Sequence, residues 1–228
     1  MGSAAQNYLR LKEKVAEIAI KSGRTAAEVD LLAVSKRFPP EAVKEVYDAG
    51  CRVFGESRPQ ELRDKAPLLP ADIRWHFIGP LQKNKIKYVA GRCVLIHAVD
   101  SLELARALSL YAGKHGLRLN VLAEVNMSGE EAKHGFIPEE SEERVLELSG
   151  LPGLSLMGLM TIAPHTDDRK RIAAAFGGLH GLFEKINNSL AKKMDVLSMG
   201  MSADFDIAIR EGSTIVRIGS AIFGARRK

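Results

Sequence analysis

Eight short runs of apolar and β-branched residues recur along the chain, at 31–35, 52–54, 75–78, 94–97, 121–126, 156–160, 196–199 and 214–218. Near-continuous apolar runs of this length read as strands buried on both faces, and the stretches between them carry the 3.6-residue period of amphipathic helices. Helices are predicted at 40–49, 82–89, 102–114, 140–148, 168–189 and 205–211, with one more at 7–21 ahead of the first strand. Such alternation implies parallel strands, because parallel neighbours need a crossover connection. Eight alternations in 228 residues predict one α/β domain spanning 1–228, a (β/α)8 TIM barrel with an extra N-terminal helix. A doubly wound open sheet is the alternative. It fits less well, since no G-x-G-x-x-G follows the first strand and no G-x-x-x-x-G-K-[ST] occurs anywhere. Gly177, Gly178 and Gly181 each weaken the helix predicted at 168–189 by about 1 kcal/mol relative to alanine.

A barrel directs attention to the residues that follow each apolar run, because active sites of such barrels lie at the C-terminal ends of the strands. The richest of these positions lie in the last two strand–helix units. Ser198 lies in the seventh run and Gly200 and Ser202 follow it, just before the helical pattern DFDIAIREG. The eighth run, TIVRI, stops at Gly219 and Ser220 and carries Arg217. Unpaired backbone amides at a strand-to-helix turn bind anions, and glycine lets a phosphate approach the backbone. The two turns together read as a two-part phosphate cradle.

Lys36 follows the first run directly, before Phe38, Pro39 and Pro40 end the strand. Taken alone, a strand-end lysine is more often a solvated surface group. In a closed barrel, however, the first strand neighbours the eighth, so Lys36 is expected to face Arg217 and the Gly219–Ser220 turn. A partly desolvated amine is a good nucleophile toward an aldehyde. Lysine, phosphate cradle and arginine together suit pyridoxal 5'-phosphate (PLP) held as a Schiff base.

The remaining composition narrows the classes. The net charge of +5 is scattered except at the terminal Arg226, Arg227 and Lys228, and neither a stacking platform nor a basic recognition helix is present, so nucleic acid is not an expected partner. Cys51 and Cys93 match neither metal spacing nor a disulfide framework and are expected to be buried and reduced. With no membrane-length apolar run and no signal-peptide core, the expected setting is the cytoplasm, without membrane attachment. No self-complementary apolar surface is legible, and a monomer is expected.

The motifs AVSK at 33–36, FGES at 54–57, WHFIGPLQKNK at 75–85, GLMTI at 158–162, SMGMSADFDIAI at 198–209 and VRIGSAIFG at 216–224 resemble, in order, those of the pyridoxal phosphate homeostasis protein family. The resemblance implies the fold of the N-terminal barrel of alanine racemase (fold type III) and a cofactor bound without an established catalytic reaction. Carried over position by position, it makes Lys36 the Schiff-base lysine, puts Ser202, Gly219 and Ser220 on the phosphate, and brings Arg217 to the pyridine nitrogen. Gly200 and Met201 fall in the same stretch. Ser57 stands where the family commonly has Asn, and a hydroxyl lacks the paired donor and acceptor of an amide.

The implied function is PLP homeostasis, buffering the aldehyde and delivering it to apo PLP enzymes. The alternative is an amino-acid racemase or another PLP-dependent enzyme on the same barrel. Arg217 bears on this choice, because a guanidinium only donates and leaves the ring nitrogen unprotonated, which weakens the ring as an electron sink. Racemases of this fold use a second base, a tyrosine drawn from a second domain. Tyr8, Tyr47, Tyr88 and Tyr111 are all predicted on helices, away from the strand ends. A phosphosugar-binding barrel with a Schiff-base lysine is a third class, disfavoured because Lys36 lies on the first strand. His76, alternating with Trp75 and Phe77, either touches the ligand or is a hydrogen-bonded structural histidine. Lys133, beside His134 and Gly135, is a candidate second lysine for receiving or releasing cofactor. Met157 and Met160 read as core.

Overall fold

The computed structural model describes residues 2–130 and 133–224; the basic run Arg226, Arg227 and Lys228 lies outside the described residues. Eight strands pair in parallel in chain order, and the eighth closes on the first. They are β1 (Asp30–Val34), β2 (Val53–Glu56), β3 (Arg74–Phe77), β4 (Cys93–Val99), β5 (Leu119–Glu124), β6 (Leu154–Met160), β7 (Val196–Ser198) and β8 (Ile215–Ile218). Every predicted strand is present. β2 runs two residues further than expected because Gly55 and Glu56 pair with His76 and Phe77 of β3. β4 extends to Val99, two residues beyond its expected end at His97.

The helices among the described residues are α1 (Ala4–Lys21), α2 (Pro40–Asp48), α3 (Pro59–Lys65), α4 (Ile86–Val89), α5 (Leu102–His115), α6 (Pro138–Ser149), α7 (Arg169–Ser189), α8 (Phe205–Arg210) and α9 (Ser220–Phe223). Their ends follow local chemistry. Proline occupies the first turn of α2, α3 and α6, where its missing N–H costs nothing. Ser101 caps α5 by accepting from the Leu104 amide at 3.3 Å, and Asp168 caps α7 by accepting from the Lys170 amide at 2.9 Å. Helix α7 runs unbroken through its three glycines because Ile172, Phe176, Leu179, Phe183 and Ile186 bury one face against the barrel.

Two departures from the sequence reading matter. The reading places no helix between β2 and β3, yet α3 forms there; with seven residues and Leu62 as its one large buried apolar side chain, it is too short to show a period. The helix expected at 82–89 is a 3-10 turn, Lys83–Lys85, followed by the single turn of α4. The N-terminal helix is no appendage. It packs against α2, α8 and α9 and buries Tyr8, Val15, Ile18 and Ala19, so it fills the eighth position of the outer ring.

One apolar core lies between sheet and helices, and a smaller one fills the barrel with Leu32, Leu95, Ala98, Leu122, Met160 and Ile215. Met157 is half-buried against the latter. Also buried are His76, His97, Ser198 and Arg217, all carried on strands, with Glu124 at the C-terminal end of β5.

Candidate functional site

Lys36 stands two residues past the end of β1 and lines a cavity of about 290 Å³ together with Arg217, Met201, Ser202, Gly219 and Ser220. Val34, Ile78, Ile162 and Ala203 supply its apolar walls. The register corrects one detail of the sequence reading. Arg217 pairs with Leu32, four residues before Lys36, so it enters the cavity from the barrel interior and does not lie beside Lys36 on the neighbouring strand. Its long side chain still brings it to the same space.

The two glycine–serine turns converge. The Ser220 hydroxyl donates to Ser202 Oγ at 3.1 Å, and the Ala221 amide donates to the same oxygen at 3.4 Å. Gly219 packs against β1 so closely that a Cβ there would stand 3.2 Å from the Val34 carbonyl oxygen. Gly200 has φ +94°, a conformation other residues rarely adopt, and a Cβ on it would lie 2.5 Å from Ala208 Cβ. It does not line the cavity; its turn delivers Met201 and Ser202, with the Met201 amide donating to Asp204 Oδ1 at 2.5 Å.

Arg217 is almost fully buried, and burial lowers its pKa to about 10, so it stays protonated at neutral pH. It anchors a relay inside the barrel. Arg217 Nη2 donates to the Thr161 carbonyl at 2.9 Å and Nη1 donates to Ser198 Oγ at 2.7 Å. Ser198 Oγ lies 2.9 Å from His97 Nδ1, and His97 Nε2 lies 2.8 Å from His76 Nδ1. Since a guanidinium only donates, the arrangement that satisfies the serine hydroxyl has Ser198 donating to His97 Nδ1 and His97 Nε2–H donating to His76 Nδ1. His76 Nε2 is left buried without a partner. Burial pushes His76 down to about 3 and His97 well below its usual value, so both rings are neutral.

A second network holds the backbone on either side of Lys36. The Ser35 hydroxyl donates to Glu56 Oε1 at 2.7 Å; Lys65 Nζ donates to that oxygen at 2.5 Å and to the Ser35 carbonyl at 3.0 Å. Arg37 is the one non-glycine among the described residues with positive φ, +66°, and its amide donates to Glu61 Oε2 at 2.7 Å. The site lysine therefore sits between two residues tied to β2 and α3.

The other expected site residues lie apart from the cavity. Ser57 is half-buried just past β2, packed against Gly79. His76 belongs to the relay. Lys133 donates to Glu130 Oε1 at 2.9 Å and to the Ala163 carbonyl at 2.8 Å, and lines adjoining spaces. Sequence reasoning passed over Glu56, Lys65, His97 and Glu124. Glu56, His97 and Glu124 are polar residues inside or beside an apolar run, a signal shared with many surface positions, whereas Lys65 lies on α3, outside all of the runs. Both cysteines are free; Cys51 is buried as expected, whereas Cys93 is half-buried at the start of β4, and desolvation raises the two thiols to about 11 and about 12, so both stay protonated at neutral pH. Among the described residues no cluster of His, Cys, Asp or Glu is placed to hold a metal ion, and no helix is long and apolar enough to cross a membrane.

Residues 9–227 match the family described as alanine racemase, N-terminal domain. A pyridoxal phosphate homeostasis protein of Aquifex aeolicus is 40% identical over 226 residues, covering 99% of both chains. PipY of Synechococcus elongatus, solved with PLP bound, superposes with a TM-score of 0.84 at 31% identity, covering 97% of this chain and 100% of its own. Alanine racemase of Clostridium difficile shares the fold at 16% identity, with a TM-score of 0.78 over 98% of this chain and 60% of the racemase. The order of motifs, the closed barrel and these likenesses agree: the chain belongs to the pyridoxal phosphate homeostasis protein family, on the alanine racemase N-terminal-domain fold.

Proposed function

We propose that this protein binds PLP as a Schiff base on Lys36 and serves PLP homeostasis, buffering the reactive aldehyde and delivering it to apo PLP enzymes in the cytoplasm as a monomer. The observation that carries this reading is the meeting of Lys36, Arg217, Ser202, Gly219 and Ser220 in one cavity, from elements far apart in sequence. The residues fit the cofactor. Two converging hydroxyls and a close-packed glycine suit the phosphate, Lys36 is the amine for the aldehyde, and Arg217 is a permanent donor for the ring nitrogen. When bound, PLP supplies an electrophilic aldehyde and a conjugated ring.

The same cavity favours a carrier over a catalyst. Besides Lys36, its lining brings no group that accepts a proton at neutral pH, since Arg217 stays charged. The four tyrosines stand on α1, α2, α4 and α5. Glu124, a titratable group in the neighbouring cavity, keeps the racemase reading testable.

Purified protein supplied with PLP should acquire Schiff-base absorption, and borohydride should fix the label on Lys36. Unchanged binding and absorption in Lys36→Ala would overturn the assignment. Solvent deuterium exchange at the α-carbon of added amino acids, faster than with free PLP, would replace the carrier with an enzyme.

A further inference from the structure

Beside the cavity of Lys36 lies a second one, of about 170 Å³, which shares Ile78 and Ile162 with it. Pro80, Ala98 and Val125 add to its apolar lining, and into this space β5 delivers the carboxyl group of its last residue, Glu124. Glu124 is only 7% exposed, and among the described residues its carboxyl group has no hydrogen-bond or ion-pair partner. A largely buried carboxylate without a hydrogen-bonded partner is costly, and a bound cation would offset that cost.

The polar groups around it are already engaged. Asn126 Nδ2 donates to the Glu130 carbonyl at 2.9 Å, and the Thr161 hydroxyl donates to the Val125 carbonyl at 2.7 Å. Lys133 is held by Glu130 and the Ala163 carbonyl, and His134 Nδ1 lies 3.4 Å from Asp100 Oδ2. The charged groups facing Glu124 from the packed elements are Asp100, Arg217 and His134, with the Lys133–Glu130 pair at the rim.

We propose that this cavity binds a small primary ammonium with a short apolar body, its N–H donors directed to Glu124. The volume is suitable, since cavities of about 150 Å³ admit a benzene-sized ligand. The lining selects a monoamine over a zwitterionic amino acid, because its one lysine is already paired and no other cation in the lining is available for an α-carboxylate. Burial and the Asp100 charge raise Glu124 to about 7. An ammonium favours the ionised carboxylate, so binding must expel the proton below that pH, and affinity should fall by up to about tenfold per pH unit there.

This inference does not depend on PLP, and its test removes the cofactor's attachment point. Isobutylamine is titrated into the full chain carrying Lys36→Ala, with ¹³C-labelled glutamate followed by NMR between about pH 6 and about pH 8. Saturable binding, a lowered Glu124 titration midpoint and at least tenfold weaker binding in the additional variant Glu124→Gln are expected. An unmoved Glu124 midpoint in the presence of the amine overturns the proposal without relying on the second variant to fold. Equal binding to Glu124→Gln, or binding of alanine as tight as that of isobutylamine, also overturns it.

Discussion

Arg217 shows how far a side chain's meaning depends on its neighbours. As a sequence letter it is a cation near a phosphate turn; in the fold it fixes the direction of the hydrogen bonds from Ser198 through His97 to His76. The relay has a thermodynamic signature. His76 is neutral in the folded protein down to about pH 3, whereas in the unfolded chain it takes up a proton near its ordinary pKa of about 6.5. The stability it allows is thus fully present above about 6.5 and is lost as the pH falls towards about 3. In His76→Asn this loss is removed while the other titrating groups remain. The wild type should therefore lose about 1.4 kcal/mol per pH unit relative to the variant in that window. Urea unfolding of both proteins at about pH 7 and about pH 5 checks this, with a difference of about 2 kcal/mol expected between the two conditions.

At the scale of elements, the short helix α3 has the largest consequence for its size. It supplies Lys65 to Glu56 and Glu61 to the Arg37 amide, and so braces the β1 loop that presents Lys36. Burial raises the Glu56 carboxyl despite Lys65 alongside it, as expected for an ion pair taken out of water. Removing one partner strands the other. Lys65→Met should destabilise the protein by about 3–5 kcal/mol, and adding Glu56→Leu should recover most of that loss, measured as a double-mutant cycle in urea. Additive costs would mean that the pair is not coupled.

For the whole molecule, closure runs through both ends of the described chain. Asn7 Nδ2 donates to the Ile222 carbonyl of α9 at 3.0 Å, and Arg24 Nη1 donates to the Ser213 carbonyl at 2.7 Å. Burying Tyr8, Val15 and Ile18 contributes about 1.5–3 kcal/mol each, a sum comparable with the roughly 5–15 kcal/mol that holds a domain folded. Deleting residues 2–21 should therefore abolish cooperative thermal unfolding by circular dichroism and expose apolar surface to a hydrophobic dye. A truncated chain that melts as sharply as the intact one would show that α1 adds nothing to closure.

The sequence by itself determined the number and order of the strands, the barrel, and several of the residues that meet in one cavity at its mouth. Those features are written in local patterns: apolar runs such as LLAV, a lysine directly after one of them, and glycine–serine turns after two others. Element ends and short helices were less legible, because α3 carries too few residues to show a period and strand length depends on the partner strand. Only the tertiary structure decided that Arg217 stands opposite Leu32, that Ser198 meets a histidine 101 residues away, and that Glu124 lines a cavity beside that of Lys36. Burial and hydrogen-bond direction belong to pairs of residues brought together by barrel closure, and no window along the chain contains both members.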